Sequence, residues 1–203
     1  MIVVIDYGIG NLGSVVNALD KLGIKNKISS SPSVVKKASA LILPGVGAAG
    51  QGMKNLGEQN LDNVIIEQIQ KGKPFLGICL GMQLLFDKSE EGNVKCLGIF
   101  KGVVKKFAKE RKVPQIGWNN IQIQNEKFKK MFNKIPNNSY FYFVNSYYCE
   151  PTDQSIIIGK TIYGEKFASI VVKDNIVGVQ FHPEKSGKVG FTLLQNFIKT
   201  YVN

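Results

Sequence analysis

The chain has 203 residues, 44% hydrophobic and 20% charged, which suits a water-soluble fold with one sizeable core. No apolar run approaches the ~20 residues that a membrane-spanning helix needs. The net charge of +11 raises the question of nucleic acid, but every one of the 26 basic residues except Arg111 is a lysine, and phosphate and base recognition usually draws on arginine's planar fork. The lysines are scattered, with only short pairs such as Lys36-Lys37, Lys105-Lys106 and Lys129-Lys130, so neither nucleic acid nor a membrane is expected as partner. A basic docking face for an acidic protein stays open.

Met1-Ile2-Val3-Val4-Ile5-Asp6 has no basic segment before its apolar run, so it reads as a buried first strand rather than an export signal, and a cytoplasmic protein is expected. In chain order, residues 2–7 read as a strand, 11–22 as a helix, 24–28 as a strand and 33–38 as a short helix. Residues 40–43 form the next strand, 61–70 a helix and 74–78 a strand. Continuous apolar strands between helices indicate a parallel sheet covered on both faces. The second half changes character: 99–107, 120–123, 140–148, 155–163, 168–172 and 176–181 are strand-like, and 190–201 closes the chain as an amphipathic helix. With no internal repeat, low-complexity tract or linker, residues 1–203 read as a single α/β domain: a mixed, mostly parallel sheet with helices on both faces and an antiparallel addition.

Gly8-Ile9-Gly10-Asn11-Leu12-Gly13 fits G-x-G-x-x-G between a strand and a helix, the setting of a dinucleotide fingerprint. The acid expected about 20 residues on is missing, because Ile28-Ser29-Ser30-Ser31-Pro32 ends the second strand without one. Tight strand-to-helix packing is the better reading of these glycines. Cys79, Cys96 and Cys149 make an odd set without a CxxC pair, and His182 is the one histidine, which argues against a disulfide framework or a zinc site.

Phe75-Leu76-Gly77-Ile78-Cys79-Leu80-Gly81-Met82-Gln83 runs from a buried strand into a helix, with Cys79 at the corner between Gly77 and Gly81. This is the nucleophile-elbow pattern with sulfur in place of the serine oxygen. A helix start there favours negative charge on the sulfur, and the Leu80 N–H points where an oxyanion would form. A cysteine nucleophile needs a base, which leaves His182 at the end of Val177-Gly178-Val179-Gln180-Phe181. Glu184 lies two residues on, and in an extended segment it would point the same way and orient the ring.

With Phe181-His182-Pro183-Glu184, the cysteine segment resembles the class I glutamine amidotransferases, whose fold is flavodoxin-like. Asp6-Tyr7-Gly8-Ile9-Gly10-Asn11-Leu12, Pro44-Gly45-Val46-Gly47 and Pro114-Gln115-Ile116-Gly117-Trp118-Asn119 narrow the resemblance to the glutaminase subunits of imidazole glycerol phosphate synthase, in histidine biosynthesis. The resemblance implies catalysis by Cys79, His182 and Glu184 on L-glutamine, without a cofactor. It further implies an oxyanion hole at Val46, Gly47 and Leu80, and glutamine binding by Gly45, Gly47, Gln83, Ser146 and Tyr147. A (β/α)₈-barrel synthase subunit is the implied partner, in a heterodimer that channels ammonia, with Lys185, Asn11, Gln115 and Trp118 at the interface. The family usually has His where this chain has Gln115 and Asn145. That leaves a second reading, a paralogue feeding ammonia to another synthase such as one amidating a surface sugar. A third is a non-catalytic regulatory module of the same fold.

Overall fold

The computed structural model describes residues 1–108, 112–124 and 126–202. Arg111 lies outside the described residues. The first half contains β1 (Ile2–Ile5), α1 (Leu12–Lys21), β2 (Asn26–Ser29), α2 (Pro32–Lys37), β3 (Ala40–Leu43), α3 (Ala49–Glu58), α4 (Leu61–Gln70), β4 (Phe75–Ile78) and α5 (Leu80–Gln83). The second half is richer in strands: β5 (Phe86–Ser89), β6 (Val94–Lys95), β7 (Phe100–Lys106), β8 (Gln115–Asn120), β9 (Gln122–Ile123), β10 (Tyr140–Asn145) and β11 (Tyr147–Pro151). After these come β12 (Ile157–Tyr163), β13 (Glu165–Lys173), β14 (Ile176–Val179) and α6 (Gly187–Tyr201).

In β1, β3, β4 and β14 every residue is buried, as parallel strands covered on both faces require. Alternation then sorts their side chains. Ile2 and Val4 of β1 join Ile42, Leu76 and Val177 in one core, closed by Val15 and Leu19 of α1 and by Leu194 and Phe197 of α6. Val3 and Ile5 join Leu41 and Phe75 in the other, closed by Val35 of α2, Leu56 of α3 and Val64 and Ile65 of α4. β2, polar at every position but Ile28, forms the edge.

The parallel strands run in the order β2-β1-β3-β4-β14. Beyond β14 the sheet turns antiparallel through β13, β11 and β7, and β5 then pairs parallel with β7. β12 pairs with β13 and β9, and β8 and β10 form a separate two-stranded ribbon. The loops that follow β1, β3, β4 and β14 share the carboxyl edge of the parallel strands, where open α/β sheets bind ligands.

The structure departs from the sequence reading in places. The run 140–148 is two strands, β10 in the ribbon and β11 in the large sheet, broken at Ser146. Strand structure begins at Gln115, ahead of the expected 120–123. α3 was not anticipated because Gly50, Gly52 and Gly57 weaken any helix pattern. Gly52 is there for packing: a Cβ would sit 3.3 Å from Leu84 and 3.5 Å from Tyr7.

Gly190 gives a test in which packing opposes propensity. In an open helix, alanine would add about 1 kcal/mol over glycine. Here a Cβ would run into the Pro183 carbonyl oxygen, and overpacking of this kind costs about 1–3 kcal/mol. Gly190→Ala is therefore expected to lower the thermal midpoint, by roughly 2–4 °C per kcal/mol at this chain length. A midpoint above wild type in a circular-dichroism melt would contradict the packing account.

Candidate active site

Cys79 follows β4 with φ 54° and ψ −109°, a positive φ that a non-glycine residue holds only under strain of about 1–3 kcal/mol. Its surroundings over-determine the turn. The Cys79 N–H donates to the Val179 carbonyl at 2.8 Å, continuing the β4–β14 pairing past the strand end. A Cβ on Gly77 would lie 2.6 Å from the Gly81 carbonyl oxygen, and one on Gly81 would strike the Leu43 carbonyl oxygen. The flanking glycines therefore let three backbones meet at the corner. The helix expected after Cys79 is the single turn of α5. A macrodipole sums over aligned peptides, so its share here is small.

Because β14 lies parallel to β4, the residues after it emerge beside this corner. His182 Nδ1 lies 2.9 Å from Glu184 Oε1, and both side chains are buried, 3% and 2% exposed. Residues 183–185 form one 3₁₀ turn rather than the extended segment expected, so the turn delivers the carboxylate to the ring. Ser186 Oγ donates to the His182 carbonyl at 2.6 Å and accepts the Tyr142 N–H at 3.0 Å, stapling this segment to β10. Burial by itself would lower the imidazole's pKa. The Cys79 sulfur and the Glu184 carboxylate outweigh it and carry the group to about 10. The Cys79 sulfur raises it most, as hydrogen-bond acceptor and as charge, and among the described residues Nε2 has no other partner.

The sulfur opens on a cavity of about 400 Å³ lined by Val46, Gly47, Leu80, Gln83, Asn145, Ser146 and Tyr147, among others. A larger cleft of about 560 Å³, around Met1, Leu22 and Val202, lies at the amino edge, away from Cys79. Of the residues expected to bind glutamine, Gly47, Gln83, Ser146 and Tyr147 line the smaller cavity. Gly45 does not: it is buried, and a Cβ there would stand 2.8 Å from that of Leu80. The Leu80 N–H, expected to face an oxyanion, is directed at the Gly45 carbonyl at 3.4 Å, a long bond. The glycine-rich loop after β1 packs here too, with Gly10 (φ 118°) backed by Gly45 and Pro44.

Lys185, Asn11 and Trp118 are exposed at this edge. Asn11 also caps α1, its Oδ1 accepting the Ser14 N–H at 3.2 Å. Gln115, also expected at the interface, is buried in this chain. It is 3% exposed and sits opposite the equally buried Asn145 in the β8–β10 ladder. The alternation of the ribbon turns it inward, while Ile116 and Trp118 face out.

The sequence reading passed over Gln180 and Val144. Gln180 is fully buried and its Nε2 donates to Cys79 Sγ at 3.6 Å, while the thiol can donate to the Val144 carbonyl at 3.6 Å. A glutamine inside the apolar run 176–181, two residues before His182, was the available signal.

His182 links this geometry to stability. A folded-state pKa near 10, above the ordinary 6.5, stabilises the fold fully below about pH 6.5, and the contribution is lost as pH rises toward 10. Urea midpoints are expected to fall over that window, and Glu184→Gln, which removes one cause of the shift, is expected to flatten the fall. An imidazole NMR titration, unambiguous with one histidine, that gave an ordinary midpoint in wild type would overturn this.

Comparison with known proteins agrees with the geometry. Residues 3–200 match the family described as glutamine amidotransferase class-I. The imidazole glycerol phosphate synthase subunit HisH of Dehalococcoides mccartyi (strain ATCC BAA-2266 / KCTC 15142 / 195) is 48% identical over 200 residues, covering 98% of this chain and 97% of that protein. The HisH subunit of Aquifex aeolicus is 50% identical over 197 residues, covering 96% and 94%. Among solved structures, a glutamine amidotransferase superposes with a TM-score of 0.77 at 18% identity over 97% of both chains, which speaks to the fold alone. The chain belongs to the class I glutamine amidotransferase family and, within it, to the HisH subunits of imidazole glycerol phosphate synthase.

Proposed function

We propose that this chain is the glutaminase subunit of imidazole glycerol phosphate synthase, releasing ammonia from L-glutamine through a Cys79 thioester and passing it to a synthase partner. The observation that carries the reading is the Cys79 corner, set beside the buried His182–Glu184 pair on one cavity in a chain of this family. The Cys79 thiolate attacks the carboxamide carbon, and the carbonyl oxygen takes up the negative charge. As the C–N bond breaks, His182 Nε2 gives its proton to the departing nitrogen, and ammonia leaves. The neutral imidazole then takes a proton from water, whose oxygen attacks the glutamyl thioester, and the thiolate departs from glutamate. Glu184 holds Nδ1 throughout, so that Nε2 is the nitrogen that faces the reaction.

The oxyanion falls to the N–H groups of Leu80 and the Val46–Gly47 region. A full negative charge competes well for the Leu80 donor against the Gly45 carbonyl at 3.4 Å. Gly47, Ser146 and Tyr147 hold the amino-acid end of glutamine, and Gly45 acts by seating Leu80. Gln83 already donates to the Tyr147 carbonyl and to Gln180 Oε1, both at 3.1 Å, which occupies both its N–H groups. Toward glutamine it can only accept, which suits the α-ammonium group.

For the partner we infer a (β/α)₈-barrel cyclase, joined in a heterodimer and fed ammonia through its interior. Supporting this is an apolar stripe on the outer face of the ribbon. Trp118 packs edge-to-face on Tyr142 at 5.9 Å, Ile116 stands opposite Val144, and Val144 lines the cavity. A partner seated on Trp118, Asn11 and Lys185 would cover the mouth. Glutamate release, followed with and without the cyclase barrel and its nucleotide, tests the reading. Cys79→Ala is expected to lower it at least about 10⁴-fold, and the barrel is expected to raise it in wild type. Full release by folded Cys79→Ala would refute the mechanism, and no effect of the barrel would refute the pathway.

A further inference from the structure

Two buried glutamines lie behind the sulfur, and their amides are arranged in one direction. Gln83 sits on α5, and Gln180 follows β14 with no exposed surface. Gln83 Nε2 donates to the Tyr147 carbonyl, an acceptor that cannot reverse, so the Gln83 amide has one allowed orientation. Its remaining N–H donates to Gln180 Oε1 at 3.1 Å, which forces the Gln180 nitrogen to the other side, 3.6 Å from Cys79 Sγ.

We propose that Gln180 is a further catalytic residue, whose side-chain N–H stabilises the Cys79 thiolate, and that Gln83 is a positioning residue that holds the Gln180 amide in the donating orientation. The inference rests on Cys79 being the nucleophile. The chemistry at the sulfur favours it. The Val144 carbonyl, 3.6 Å from Sγ, can bond only a thiol hydrogen and so favours the protonated sulfur. Gln180 is a neutral donor on another side that opposes this, and donors to charged groups are worth more than donors to neutral ones. Because it keeps its proton across the working pH range, it supports the thiolate in each half of the cycle, even while His182 is neutral. The other ionisable groups around the sulfur are His182 with Glu184 behind it, Tyr7 beyond β1, Cys149 on β11 and Glu91 on the cavity wall.

The test is the rate at which iodoacetamide alkylates Cys79, read by peptide mass in the full chain between pH 6 and 10. Glutamate release with the barrel is measured in parallel. Gln180→Met keeps the volume and removes the donor. Gln180→Leu, which also removes the donor and adds no charge beside the sulfur, carries the test if the methionine variant does not fold. Either variant is expected to slow alkylation at pH 7 about tenfold, the scale of one charge-assisted hydrogen bond, with the difference closing toward pH 10. Gln83→Met is expected to do the same more weakly, because the Gln180 amide can then turn. Wild-type alkylation at pH 7 in a folded Gln180 variant, or a uniform loss at every pH, would overturn the inference. Release retained by Cys79→Ala would instead remove the nucleophile reading beneath it.

Discussion

The parallel pairing of β4 with β14 is the constraint on which the rest depends. The strands come from residues about 100 apart in the chain, and their register sets Ile78 against Val179. Continuing by one residue, the Cys79 N–H bonds to the Val179 carbonyl. This bond leaves the two chains side by side as they part from the sheet, one turning into α5 and the other running on to His182. Cysteine and histidine therefore meet without a loop having to find its partner, and apolar burial on both sheet faces supplies the energy that holds them there.

The corner is costly to build, and the neighbouring elements share the cost. Leu43 at the end of β3, Gly45 in the next loop and Tyr7 after β1 all press on residues 77–81 or on the loop beside them. The phenol of Tyr7 is buried without a hydrogen-bond partner, and burial raises its pKa. A positive-φ cysteine persists where the surrounding packing holds it, here the close approach of Gly77, Gly81 and the Leu43 carbonyl and the Cys79 N–H bond to Val179.

The parallel half of the fold could be read from the sequence because its signals are local: four apolar runs, the helices between them, and glycines bracketing one cysteine. The Cys79–His182–Glu184 set was legible for a related reason, since few residues of the needed chemistry were available. The ribbon was harder. Residues 140–148 read as one strand because only Asn145-Ser146 interrupts their aromatic and apolar run, and it is at that polar pair that β10 ends and β11 starts. Gln180 escaped notice because its role is set by Gln83, 97 residues away. The inward turn of Gln115 follows from its pairing with Asn145, which no local pattern announces.

β10 divides its duties by parity. Its odd positions, Phe141, Phe143 and Asn145, are buried, while Tyr140, Tyr142 and Val144 are more open and face away from the core. The Val144 carbonyl, lying in the plane of the ribbon, touches the sulfur. One six-residue strand thus serves three masters by three different groups: one face, the other face and the backbone between them. Tyr140 and Tyr142 can change with whatever docks on them, Val144 also borders the active-site cavity, and the odd-numbered side chains answer to the interior. The contact with the sulfur, made by a peptide oxygen, is insensitive to side-chain identity at either set of positions. A lineage can thus rework its outer surface at this strand without rewriting the catalytic edge.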